Sequence, residues 1–389
     1  MIIADHLSPI RIGMMLLGQA GSNMSGASGS ISTLTVVRYL CSNQYLIDTF
    51  AGRVHPPPHL PRCEGPSMRA VRFHDYGPPE VLQVDEVPDP EPGSGEILVR
   101  VTAAGIGFAD VQIRAGLMRS VLTDLPLPYS PGFEVAGTVI AVGPDVDPAQ
   151  VGRQVIGATA GGGYAEKAVL PAAALSRPGT LDDHTALALL GQGATAVGVA
   201  EAAALRPGET VLVEAAAGGV GNLLVQLAKH AGARVIAVAR GEQKLDVARQ
   251  LGADAAIDYS TPDWSERVRE AADGGLQVVL ETTGGPVSKN AFDLLTPGTG
   301  RMVVYGTTSG QAPQFDPLDV YQRGLSVIGF ASVMLPPEHL ARLLNRAFDL
   351  ARTGELKPII GAALPLVQAA TAHKAFEERT TIGKTVLTP

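Results

Sequence analysis

Cysteine is almost absent from this 389-residue chain: Cys41 and Cys63 are its only two, and the stretch from Met68 to Pro389 has none. That absence excludes a disulfide framework and thiolate-ligated zinc from the larger part of the chain, and it fits the expectation of a reducing cytoplasm. Long apolar runs are missing too. The longest uncharged stretch from Met68 onward, Thr185 to Ala200, is interrupted by Gly191, Gln192, Gly193 and Thr195, which predicts a buried helix and a turn with no membrane span. Positive charge is in short supply. Lys and Arg number 30 against 38 Asp and Glu, a formal net charge of −8, and no basic run offers a surface to nucleic acid. No Gly-x-Ser-x-Gly elbow is present, which removes a common hydrolase signature.

Glycine and proline are plentiful, at 45 and 29 residues, and predict many turns between short elements in a chain long enough for two domains. The first 67 residues hold a Gly- and Ser-rich stretch, Gly18 to Ser32, and then the turn-breaking run Pro56, Pro57, Pro58 and Pro61. No stable domain is expected there. The apolar segment Ile12 to Leu17 is short and broken by Gly13, which argues against a secretion signal. Met68 opens a strand over Met68 to Phe73. The natural start is therefore expected at Met68, with residues 1–67 a disordered extension.

The most informative segment is Thr210 to Asn222, TVLVEAAAGGVGN. An apolar strand runs into Gly218, Gly219 and Gly221, and Leu223, Leu224, Leu227 and Ala228 then recur at helical spacing. Glycines at such a turn let a pyrophosphate approach the first N–H groups of the helix, whose dipole favours negative charge. A second strand, Arg234 to Ala239, follows at the distance a dinucleotide site requires. Its end carries Arg240, with Lys244 a turn later, where an NAD site usually has an acidic residue for the ribose. Positive charge there favours the 2′-phosphate of NADP, with Glu242 nearby as an opposing charge.

Along the chain, Met68 to about Ala174 reads as short strands between turns, including Glu96 to Val101, Val135 to Val142 and Gln154 to Ala158. From about Gly191 to Phe330, strands at Thr210, Arg234, Ala255, Leu276, Gly300 and Ser326 alternate with helices, which predicts a doubly wound parallel sheet. A helix near Pro337 to Thr353 and a strand Lys384 to Leu387 then return to the β-domain. The expected fold is α/β, with a Rossmann sheet inserted in that β-domain. The expected boundaries are 68–190, 191–330 and 331–389, with a ligand in the crevice between the domains.

The stretches MRAVRFHDYGPPEVL, GEILVRVTAAGIGFADVQIRAG, PYSPGFEVAGTVIAVG, GGYAEKAVLPA, AAAGGVG, VVLETTGG, VVYGTTSG and GKTVLTP occur in this order. From Met68 to Pro389 the chain resembles the zinc-independent medium-chain dehydrogenases/reductases, the quinone oxidoreductases of the zeta-crystallin type. The resemblance implies a GroES-like β-domain around a Rossmann domain, NADPH as hydride donor, a quinone or enone as small-molecule acceptor, and a homodimer. Zinc-dependent relatives carry a cysteine where Gly107 stands and a histidine where Phe133 stands, and neither residue present can ligate zinc. No metal is expected.

The resemblance also assigns candidate residues. Ala217, Gly218, Gly219, Val220 and Gly221 would surround the pyrophosphate, Arg240 and Lys244 the adenosine phosphate, and Tyr259 the adenine. Thr195, Gly306, Thr307, Phe330 and Ser332 would line the nicotinamide half, and Lys384 would reach the cofactor or serve as a surface lysine. Tyr129 and Gln112 are the expected hydrogen-bond donors to the acceptor oxygen, Gln112 standing where the family often has tyrosine. An alkenal or enoyl-thioester reductase of the same fold, or an NADPH-binding protein with a structural or regulatory role, remains an alternative.

Overall fold

The computed structural model describes residues 34–40, 44–50, 66–120, 122–176, 179 and 181–389. Near the N-terminus, strands Leu34–Leu40 and Gln44–Phe50 pair antiparallel, in register from Leu34 opposite Phe50 to Leu40 opposite Gln44. The β-branched and aromatic content of LTVVRYL suits a strand, a pairing that the expectation of a disordered extension does not include. Apart from Pro66 and Ser67, the rest of that extension, with Cys41 and Cys63, lies outside the described residues.

From Gly65 onward the chain forms one compact unit built on two principal sheets. The first has seven strands in the order Ile360–Pro365, Lys384–Thr388, Glu96–Gly105, Glu134–Val142, Gln154–Ala158 and Leu175–Ser176, with Lys167–Pro171 paired to Glu96–Gly105. Strand Glu96–Gly105 alternates as a half-buried strand should: Val99 and Val101 are buried while Arg100 and Thr102 face out. The C-terminal segment enters this sheet through Leu387 beside Ala104 and Val386 beside Gly105. Residues far apart in sequence thus complete one β-domain.

The second sheet is wholly parallel. Its order is Ala255–Asp258, Arg234–Ala239, Thr210–Val213, Val278–Glu281, Arg301–Val304 and Ser326–Gly329. This is the Rossmann order, which reverses direction beside the first strand and leaves a crevice at the carboxyl ends. Strands Thr210–Val213 and Val278–Glu281 are buried at every position, which explains why they read as continuous apolar runs rather than alternating ones.

One sequence expectation is corrected. The interruption at Gly191–Gly193 does not make a turn: helix Asp183–Ala188 continues through a π-helical turn, Leu189–Gly193, into helix Ala194–Ala203. The resulting 21-residue helix, of mean hydropathy 1.3 over its most apolar window, is long and apolar enough to cross a membrane, yet 61% of that window is buried inside the fold. Glycine weakens a helix without ending it when tertiary packing holds both flanks. Leu187, Leu189, Val197 and Val199 supply that packing.

Candidate functional site

The glycine turn forms as the sequence implies. Helix Gly221–His230 starts directly after it, and Asn222 ties the turn down by donating to the carbonyls of Gly218 and Gly219 at 2.7 Å. Ala215 adopts a left-handed φ of 45°, and its carbonyl accepts from Gly218 N at 2.7 Å. A Cβ on Gly221 would stand 2.2 Å from that same Ala215 oxygen, so the turn closes only around glycine. The returning chain clasps the turn, since Gly383 N donates to the Ala217 carbonyl at 2.8 Å.

Above the turn lies a cleft of about 650 Å³ between helix Phe108–Arg114 and the carboxyl ends of the parallel strands. Its lining includes Ala217, Gly218, Gly219, Val220 and Gly221 at the turn, and Arg240, Lys244 and Tyr259 at one end. Gln112, Thr195, Gly306, Thr307, Phe330 and Ser332 also line it. Thr195 Oγ1 bonds the Gly191 carbonyl at 2.8 Å and Ser332 Oγ at 3.0 Å, joining the helix after the π turn to the segment beyond the last strand.

Two expected residues stand outside that lining. Tyr129 is half-buried, with its ring edge-on to Phe73 and its hydroxyl donating to the Ala160 carbonyl at 3.4 Å. Burial, with the nearby Asp110 charge, pushes its phenol up to about 12. Lys384 is 1% exposed and forms an ion pair with Glu134, packed against Gly105, where a Cβ would stand 2.8 Å from Lys384 Cε. Its amine holds the β-domain together at this point. Asp110 is buried beside the pair and accepts from the backbone N–H groups of Gly107 and Gly132 at 2.8 and 2.9 Å. Burial pushes its carboxyl up to about 6, the two N–H groups opposing, with Glu134 raising it further and Lys384 lowering it.

Among the cleft residues that escape the sequence reading, three stand out. Arg379 enters with a left-handed φ of 60°, its guanidinium 5.2 Å above the Phe108 ring, and its carbonyl accepts from Lys244 Nζ at 2.6 Å. Gln192, presented by the π turn, lies so close over Gly219 that a Cβ there would meet its amide at 2.5 Å, and its Oε1 is buried without a partner. Phe108 forms part of the cleft wall. No periodicity marks any of the three, because each reaches the cleft through tertiary packing.

The electrostatics at the Arg240 end suit an anion. Burial, then repulsion from Arg240 and Arg379, holds the Lys244 amine below the usual lysine range, as expected for cations gathered together, with Asp258 as the carboxylate beside Arg240. Glu242, the opposing charge in sequence, is held by Arg249 at 2.5 Å. Asp258 accepts from Gly241 N and from Ser260, and these bonds hold its carboxyl below the usual range against the effect of burial. Glycine turn, cation cluster and apolar far end together fit a phosphorylated dinucleotide. Among the described residues, no group of three or more His, Cys, Asp or Glu side chains could hold a metal ion.

The chain matches the alcohol dehydrogenase GroES-like domain over residues 93–178 and the zinc-binding dehydrogenase domain over residues 219–349. It is 35% identical to a 2-haloacrylate reductase from a Burkholderia species, over 83% of this chain and 99% of that protein. The solved structure of Escherichia coli quinone oxidoreductase complexed with NADPH superposes with a TM-score of 0.74 at 32% identity, covering 82% of this chain and all of that one. A structure described as an NAD-dependent alcohol dehydrogenase superposes with a TM-score of 0.74 at 36% identity, covering 83% of this chain and all of its own. The protein is a medium-chain dehydrogenase/reductase and belongs to the zeta-crystallin-like quinone oxidoreductase family.

Proposed function

We propose that this oxidoreductase is a zinc-independent NADPH-dependent reductase that transfers hydride to a quinone or a related activated carbonyl or alkene. The observation that carries the cofactor reading is the cluster of Arg240, Lys244 and Arg379 at one end of a glycine-turn cleft, a set of charges suited to the 2′-phosphate. The solved complex of the Escherichia coli relative with NADPH supports it. The bound nicotinamide supplies a hydride from its C4. The chain's residues bind and orient: the glycine turn takes the pyrophosphate, Thr195 and Ser332 offer hydroxyls at the far end, and Phe108 and Phe330 exclude water.

Gln112 is the candidate donor to the acceptor oxygen as negative charge develops there, because its amide lines the cleft and carries N–H groups. Gln112→Ala is expected to lower kcat about tenfold, whereas Tyr129→Phe, remote from the lining, changes it less than twofold. Equal losses in the two would return Tyr129 to the acceptor site. Arg240→Ala with Arg379→Ala is expected to raise KM for NADPH about 30-fold while KM for NADH changes less than threefold.

The deciding experiment is NADPH oxidation by chelator-treated protein, with a simple quinone and then a simple enone. Turnover with preference for NADPH supports the zinc-free reductase, and dependence on added zinc sinks it. The Burkholderia relative, called a 2-haloacrylate reductase, gives the activated alkene specific support as acceptor, and the two substrates rank the classes. The reading also includes a cytoplasmic homodimer paired through the edge strand Ser326–Gly329, beside the exposed Tyr321, Val333 and Met334. Light scattering at micromolar concentration checks it: a monomer removes the dimer.

A further inference from the structure

Glu214 and Glu281 occupy the carboxyl ends of the first and fourth strands of the Rossmann sheet. The strands are hydrogen-bonded neighbours, and their register, Val213 beside Leu280, brings the next residues, Glu214 and Glu281, side by side. Both are completely buried. Glu214 Oε2 accepts from the N–H groups of Thr282 and Thr283 at 3.3 and 3.0 Å, and Glu281 Oε1 accepts from Gly284 N at 2.5 Å. Glu214 Oε1, Glu281 Oε2, the Tyr305 hydroxyl and Thr283 Oγ1 are buried without hydrogen-bond partners. Two carboxyl groups with orphaned oxygens and no basic group against them call for a proton.

No cation acts on either carboxyl directly. From the fifth strand comes Tyr305, whose phenol burial and then the two carboxyls push up, and from the end of the third comes Tyr259, which burial and then Glu214 raise while Arg240 and Arg379, beyond it in the cleft, oppose. Helix Ala194–Ala203 carries one charged residue, Glu201, ion-paired with Arg342. Helix Gly221–His230 carries Lys229, ion-paired with Asp254, and His230, its terminal residue. Helix Gly285–Asp293 carries Lys289 and Asp293, paired with each other. Burial pushes the Glu214 carboxyl up to about 7 against its hydrogen bonds, and burial, with the Glu214 charge added, pushes Glu281 up to about 8.

The position of the pair gives that proton a use. Glu214 is joined directly to the turn that begins at Ala215, while Thr282 and Tyr305, which flank the carboxyls, line the cleft. We propose that the Glu214–Glu281 pair is a proton-binding site linked to the cofactor: a polyanionic dinucleotide binds best when the pair is protonated, and its binding draws a proton into the pair. Ionisation of the second carboxylate places an unscreened negative charge behind the phosphate turn and repels the ligand. By linkage, the ligand raises the proton affinity of the pair by the same factor. No covalent step is involved.

The inference rests on the dinucleotide reading of the cleft. Isothermal titration of the full chain with NADPH and with NADH at pH 6 and pH 9 tests it; NADH serves because it lacks the 2′-phosphate, whose own titration falls in this range. Affinity for both ligands is expected to fall about tenfold from pH 6 to pH 9, the effect of a one-unit coupling, and by less than twofold in the double variant Glu214→Gln with Glu281→Gln. Titration at pH 7.5 in two buffers of different ionisation enthalpy is expected to show proton uptake in the wild type and none in the double variant. Should the double variant not fold, either single variant, with a reduced proton count against the wild type, carries the test. Binding that is independent of pH, or without proton uptake, overturns the linkage and leaves the cofactor reading intact. No binding of either nucleotide at either pH overturns both.

Discussion

Each of the two domains brings a pair of acidic side chains together in or beside its sheet, fully buried in the Rossmann sheet and partly so in the β-domain, but only the β-domain pair has a cation. In the β-domain, Asp110 lies beside Glu134, and Lys384 reaches Glu134 from the last strand. In the Rossmann sheet, Glu214 and Glu281 have backbone N–H groups and no base. The β-domain solution is electrostatic and holds together strands distant in sequence, whereas the Rossmann solution is protonation and leaves a titratable site beside the cleft. Burial alone therefore does not tell what an acidic residue does. The charge of its neighbours decides whether it is a fastener or a proton store.

The comparison breaks most sharply at the cation. Lys384→Met leaves the partly exposed Glu134 without its partner beside the buried Asp110 and is expected to cost about 2 kcal/mol in denaturant unfolding, between the cost of breaking a surface pair and a buried one. A loss below about 1 kcal/mol would mean that the pair is screened like a surface one.

A smaller effect separates the pairs by pH. The raised carboxyls of Glu214 and Glu281 mean that the native state holds protons the unfolded chain has released, so between about pH 4.5 and 8 their contribution to stability falls as pH rises. Glu281→Gln removes part of that fall. Relative to wild type it is expected to gain about 1–2 kcal/mol at pH 9 compared with pH 5, measured by unfolding at both. Parallel curves for wild type and variant would sink the assignment.

The smallest effect lies at the far end of the β-domain network. The Tyr164 hydroxyl is 3.1 Å from His373 Nε2, and both residues are buried. Burial, with Arg114 adding, pushes the His373 imidazole down to about 3. Below the ordinary value of 6.5 the unfolded chain gains a proton that the native state refuses, so stability is lost as pH falls from about 6.5 towards 3. His373→Gln is expected to cost about 1 kcal/mol at pH 7 and to flatten that acid limb, as read by thermal unfolding. An unchanged limb would place the acid sensitivity elsewhere.

Much of the fold is legible in the sequence because its signals are local. Runs such as VLV, VIAVA and VVLE read as buried parallel strands, and the glycines after Thr210–Val213 mark the phosphate turn. Ala217 to Gly221, Arg240, Lys244 and Tyr259 could be placed on that basis together with the family resemblance. What was illegible depends on contacts across the chain. Arg379 reaches the cleft from the C-terminal return, Glu214 meets Glu281 only through strand register, and Lys384 is removed from the lining by Glu134. The uninterrupted helix through Gly191 to Gly193 escaped because glycine is read as punctuation, while packing on both flanks decided otherwise.

That helix has a hereditary consequence. Its π turn at Leu189–Gly193 accommodates one residue beyond α-helical register, and an α-helix advances about 100° per residue. Loss of a single codon within the turn would restore a regular helix and leave its apolar character intact. Gln192, or the residue shifted into its place, would then swing about a quarter of a revolution relative to Thr195. One of the smallest in-frame changes available to the gene would thus re-aim one wall of the cleft and spare the scaffold beneath it.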